Sequence, residues 1–106
     1  MSGGLLGLLG LGVRAGSVVI GVDAVRAALQ RGQCRCLVTA SDISPRAIEK
    51  VVRLAQGRGI RMVRGPVADA MGQALGRPPV MVVGVVDNGL AQGILRAAAT
   101  GSDGGD

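Results

Sequence analysis

Apolar residues in this chain come in short bursts whose spacing switches between a helical period and an extended one. Leu5, Leu6, Leu9 and Val13 fall on one helical stripe that ends near Arg14, Ala15 and Gly16. Val18, Val19 and Ile20 then form a β-branched run, which fits a pleat better than a helix. Gly21 interrupts it, and Val22, Val25 and Leu29 recur at i, i+3 and i+7, a second helical stripe closed by Gly32. Cys36 to Ala40 is a short apolar strand. Ser44 and Pro45 supply an N-cap and a first-turn proline for a helix with Ile48, Val51, Val52 and Ala55 inward, ending between Gly57 and Gly59. Ile60 to Val63 reads as a brief strand. Gly65 and Pro66 open a further helix, predicted to turn Val67, Ala70, Met71 and Ala74 inward and to stop at Gly76. Val80 to Val86 is apolar throughout, the mark of a central strand covered on both faces. Asp87, Asn88 and Gly89 turn into a last helix carrying Leu90, Ile94 and Ala98. Near-strict alternation of strand and helix predicts an α/β protein, a three-layer α/β/α sandwich around a small mixed four-stranded sheet.

The chain has 106 residues, enough for one domain. That domain is expected over residues 1–100, with the closing GSDGGD, 101–106, as a flexible tail. Phe, Tyr and Trp are all absent, so the core has to be built from Val, Leu, Ile, Ala and Met. The same absence excludes a single-strand binder that stacks bases on aromatic rings. Formal charge is +5, and twelve basic residues against the five acids outside the tail leave the body at +7. Eleven of the twelve are arginine, which matches phosphate and guanine edges bidentately. A polyanionic partner follows from this pattern; a genome biased toward arginine, alanine and glycine codons is the competing source of it.

Other chemistry is thin. There is no histidine, and two thiols cannot complete a zinc site, so no metal or cofactor is expected. Cys34 and Cys36 are expected on one face of a strand, reduced and packed, because their spacing strains against a disulfide. No carboxylate pair or activated nucleophile is apparent, so neither catalysis nor a small-molecule substrate is expected. Gly10, Gly12 and Ala15 match the glycine spacing of dinucleotide folds, but no strand precedes them and no helix of sufficient length follows. The N-terminal MSGGLLGLLGLGV is about half a membrane span long and lacks a positive start, so a cytoplasmic protein without membrane contact is expected.

Three stretches in order carry a specific resemblance: GVDAVRAALQRG after the glycine hinge, LVTASDISP, and MGQALGRPPV. From Leu5 to Ala98 the chain resembles the kink-turn-binding ribosomal proteins typified by archaeal L7Ae and eukaryotic L30e, most of all their small bacterial members. The resemblance implies binding to a structured RNA, such as a ribosomal kink-turn flanked by sheared G·A pairs; a monomer is expected. The family reads that RNA with the N-terminus of its second helix, through a glycine, any residue, asparagine, glutamate, and a lysine three residues further on. Those positions fall on Gly21, Val22, Asp23, Ala24 and Ala27, with Arg26 alongside. A second contact falls on Ser44, and a loop that shelters an extruded base falls on Arg77, Pro78, Pro79 and Val80.

The departures are chemical. Asp23 removes a donor and places a negative charge near phosphates; Ala24 removes an acceptor for guanine; Ala27 removes a cation. Arg26 offers a cation about 100° round the helix from the lysine position. Two readings stay open at this point: an RNA-binding module, and a protein-interaction or auxiliary domain that kept the fold and lost RNA affinity. The same fold also serves as the recognition domain of some RNA methyltransferases.

Overall fold

The computed structural model describes residues 3–104. Five helices and four strands alternate: α1 (Gly3–Ala15), β1 (Val18–Ile20), α2 (Val22–Gln30), β2 (Cys36–Thr39), α3 (45–57), β3 (Arg61–Arg64), α4 (Ala68–Leu75), β4 (Val82–Val85) and α5 (Asn88–Gly104). The helix α3 is continuous but not uniform, with a π-helical stretch, Ile48–Val52, between the α-helical segments Pro45–Ala47 and Arg53–Gly57. The last helix runs through the first four residues of the segment expected as a tail, and residues 105–106 lie outside the described residues.

The strands form one mixed sheet in the order β1-β4-β2-β3, antiparallel at β1–β4 and β4–β2 and parallel at β2–β3. All four residues of β4 are buried, as the uninterrupted apolar run requires. Edges are blunted: β1 is three residues long, and β3 begins and ends on exposed arginines.

The two faces of the sheet bury separate apolar clusters. On one side Cys36, Val38, Val83 and Val85 pack under α1, α4 and α5 with Leu9, Met71 and Ile94. On the other, Leu37 and Val82 pack under α2 and α3 with Val25, Leu29, Val51 and Ala55. This is the three-layer sandwich, and it is filled without a single ring. Each such side chain taken fully out of water contributes about 1.5–3 kcal/mol, so aliphatic residues suffice.

Two expectations need correction, on α4 and on the cysteines. In α4 the buried residues are Ala68, Met71, Gly72 and Leu75, one position on from the predicted stripe apart from Met71; Val67 and Ala74 are exposed. Val67 is still extended (φ −62°, ψ 156°) and precedes the helix, because Asp42 Oδ1 accepts from the Ala68 N–H at 2.8 Å and sets the start there. The cysteines do not share a face. β2 begins only at Cys36, so Cys34 packs with the α2–α3 cluster and Cys36 with the opposite one, with Cys34 Sγ donating to Cys36 O at 3.2 Å. In α3 the expected stripe faces inward, Val51 and Ala55 buried and Ile48 and Val52 half-buried, and Ala47 joins it at the start, so that the buried residues fall four apart. That four-residue spacing keeps to one face of the helix, and the π-helical stretch Ile48–Val52 lies within it.

Candidate nucleic-acid interface

Three chain segments meet at the upper end of β2 and β4, and glycine fixes the first. Gly21 has φ 98° and ψ 160°, a conformation that suits only glycine. Its N–H donates to Val82 O at 3.0 Å and its carbonyl accepts from Val25 N–H at 3.0 Å. One residue thereby ties the end of β1 to β4 and starts α2. No side chain caps this end, so the first amides of α2 face outward at the positive end of its dipole. Asp23 is exposed in that first turn, where a carboxylate offsets the dipole.

The second segment is the start of α3. Ser44 is its N-cap, with Oγ accepting from Ala47 N–H at 3.2 Å, and Pro45 occupies the first turn. The third is the loop before β4. It folds back along α4, with Arg77 N–H donating to Gly72 O at 2.8 Å and Val80 N–H to Ala68 O at 3.1 Å. Gly72 is bare for a reason: a Cβ there would run into the backbone carbonyl of Pro78. Met81 O accepts from Ala40 N–H at 2.8 Å, which seats the end of the loop on β2.

Between them lies a cleft of about 230 Å³, lined by Val22, Asp23, Ser44, Arg46, Ala47, Lys50 and Met81. Of the residues singled out in the sequence, Val22, Asp23 and Ser44 line it. Gly21 shapes it from below through its backbone. Ala24 and Arg26 are exposed on α2 and Ala27 is half-buried, all three outside the lining. Arg77, Pro78 and Pro79 are exposed along the return loop, and the Val80 side chain is buried in the core. The loop reaches the cleft through Met81 instead.

Sequence reasoning missed Arg46, Lys50 and Met81. Only their spacing was visible: Arg46 and Lys50 stand at i and i+4 beside the buried Ala47, on one side of a helix begun at Pro45, as any solvent-facing pair does. Neither forms an ion pair among the described residues, where Arg53 and Glu49 do at 3.0 Å. The cleft thus carries two cations on its α3 wall and one carboxylate on its α2 wall. Among the described residues no group of three His, Cys, Asp or Glu could hold a metal, and no helix is long and apolar enough to cross a membrane.

This sandwich, with a glycine-hinged second helix facing the start of the third, defines the class. The ribosomal protein L7Ae/L30e/S12e/Gadd45 family model matches residues 5–94, and the chain belongs to that family. Among solved structures, it is similar to a protein of unknown function from Bacillus halodurans, with 26% identity over 90% of this chain and 96% of that one, TM-score 0.83. It also shares its fold with the Giardia lamblia 15.5kD RNA binding protein, 21% identical over 91% of this chain and 82% of that one, TM-score 0.72. No curated protein matches the sequence significantly.

Proposed function

We propose that the chain is an RNA-binding module without catalytic activity, which holds a kinked, structured RNA in the cleft between α2, α3 and Met81. The observation that carries this reading is the meeting on one cleft of the α2 start and the α3 start, both assigned RNA contacts by the sequence resemblance, with Met81, the residue after the assigned loop, on the third side. Family membership and the RNA-binding Giardia neighbour support the partner class. Outward amides at the start of α2 attract phosphate, and Arg46 and Lys50 supply the cations that Ala27 lacks. Asp23 accepts from exocyclic amino groups but cannot donate to guanine N7 or O6.

One comparison tests the reading. A kink-turn RNA and an unkinked duplex of equal length are titrated at a single salt concentration against the wild type and Asp23→Asn/Ala24→Glu. The variant is expected to gain about 1–3 kcal/mol per restored contact on the kinked RNA and much less on the duplex. Equal gains on both would mean that only charge had changed and that α2 reads no kink. The neutral Ala24 and Ala27 on α2 favour a second reading, a protein-interaction domain, and wild-type protein that binds neither RNA would select it.

A further inference from the structure

The pole opposite the cleft carries a charge cluster of its own. β1, β2 and β3 run in one direction and β4 in the other, so Thr39, Arg64 and Val82 mark the cleft end and Cys36, Arg61 and Val85 the far end. Four arginines gather at that far end from two connections. Arg31 ends α2 and Arg35 precedes β2; Arg58 ends α3 and Arg61 opens β3. The register places Arg61 beside Cys36, the residue after Arg35, and Arg35 N–H is held on Val85 O at 2.6 Å. All four residues are exposed, and none forms an ion pair among the described residues. Segments 31–36 and 57–61 read RGQCRC and GRGIR, with no acid in either. The acid that follows β4, Asp87, is occupied, its Oδ2 accepting from Leu90 N–H at 2.8 Å.

We propose that this pole is a second binding surface, which takes the phosphate backbone of an RNA duplex without reading its sequence. It stands on the placement of these arginines and does not require the cleft to be a kink-turn site. Arg31 and Arg58 also offset the dipoles of the helices they end, but Arg35 and Arg61 lie outside helices and have no such use. Phosphate is favoured over an acidic protein because the exposed residues of these connections are glycine, glutamine and arginine. A protein interface needs an apolar or aromatic centre, which the exposed surface here lacks. Guanidinium groups on a rigid sheet end suit phosphate oxygens, which they grip bidentately.

The test is a short unkinked RNA duplex titrated at several salt concentrations against two variants that lose equal charge. Arg35→Gln/Arg61→Gln removes two arginines of the pole, and Arg64→Gln/Arg96→Gln removes two elsewhere. The first pair is expected to weaken duplex binding about tenfold at low salt and to flatten the log–log salt slope by about 1.4–1.8, the share of two phosphate contacts. The second pair is expected to lose less than about threefold, the general effect of charge. Equal losses would overturn the proposal, provided both variants melt as the wild type does. Displacement of the duplex by polyglutamate of matched charge as readily as by a second duplex would overturn it in favour of an acidic protein. Lys50→Met separates the two sites: it should reduce the preference for kinked over straight RNA and leave the duplex salt slope unchanged. Failure of that variant to alter the preference would count against the cleft alone.

Discussion

Cys34 and Cys36 show how much one residue of strand register decides. Burial raises the Cys34 thiol above its usual range, and burial together with the neighbouring Cys34 pushes Cys36 up to about 12. Both therefore stay protonated at neutral pH, and on opposite sides of β2 they cannot approach each other as a disulfide would need. The linkage has a definite sign. A thiol that holds its proton more tightly when folded adds stability below its unfolded value, 9.0, and that stability drains away as pH rises toward about 12. Unfolding free energy should thus fall with pH above 9 in the wild type, by at most about 1.4 kcal/mol per pH unit for each such thiol. Denaturant melts from pH 8 to 11 on the wild type and Cys36→Ala will show it, the alanine variant having the shallower decline.

At the scale of elements, the cleft depends on a helix that never touches it. The loop from Arg77 to Val80 lies flat on α4 because Gly72 has no side chain, and Met81 follows from that seating. Gly72→Ala would place a methyl group against the Pro78 carbonyl, backbone that cannot swing aside. The variant is expected to lose about 1–3 kcal/mol of stability, the range for overpacking, and to bind kinked RNA more weakly although no lining residue has changed. Normal stability with normal binding would show that the loop has room to shift.

The element order was legible from periodicity and punctuation alone: Gly21, the Ser44–Pro45 pair and the apolar run into β4 sat where the structure has them. What was not legible depended on contacts between distant residues. Asp42 sets the start of α4 from 26 residues away, so the predicted stripe slipped by one position. The π-helical stretch of α3 leaves no mark in the apolar spacing, which an ordinary α-helix accommodates equally. Part of the cleft was readable, namely Val22, Asp23 and Ser44. Its cationic wall was not, because Arg46 and Lys50 look like ordinary solvent-facing charges until Met81 closes the third side.

Across the whole molecule, acids and bases are put to different uses. Asp42 and Asp87 cap helices, Asp23 and Asp69 sit in first turns, and Glu49 pairs with Arg53. These carboxylates serve the fold, Asp23 lining the cleft as well, while Arg46, Lys50 and the four arginines of the far pole form no ion pairs among the described residues. A field arranged this way makes RNA affinity strongly salt-dependent, with about 0.7–0.9 of log–log slope per phosphate engaged. A slope near zero between low and physiological salt would remove nucleic acid from the functional reading.

The ring-free core has a practical consequence for anyone who handles the protein. With no Phe, Tyr or Trp, the chain has almost no absorbance near 280 nm and no intrinsic fluorescence. Ultraviolet signal in a purified sample therefore comes from whatever has come along with it, and a band near 260 nm would announce nucleic acid carried from the cell. The same darkness makes the molecule a clean host for a single reporter. Met81→Trp, half-buried at the edge of the cleft, would be the sole fluorophore in the chain, and its quenching would follow an RNA arriving there and nowhere else.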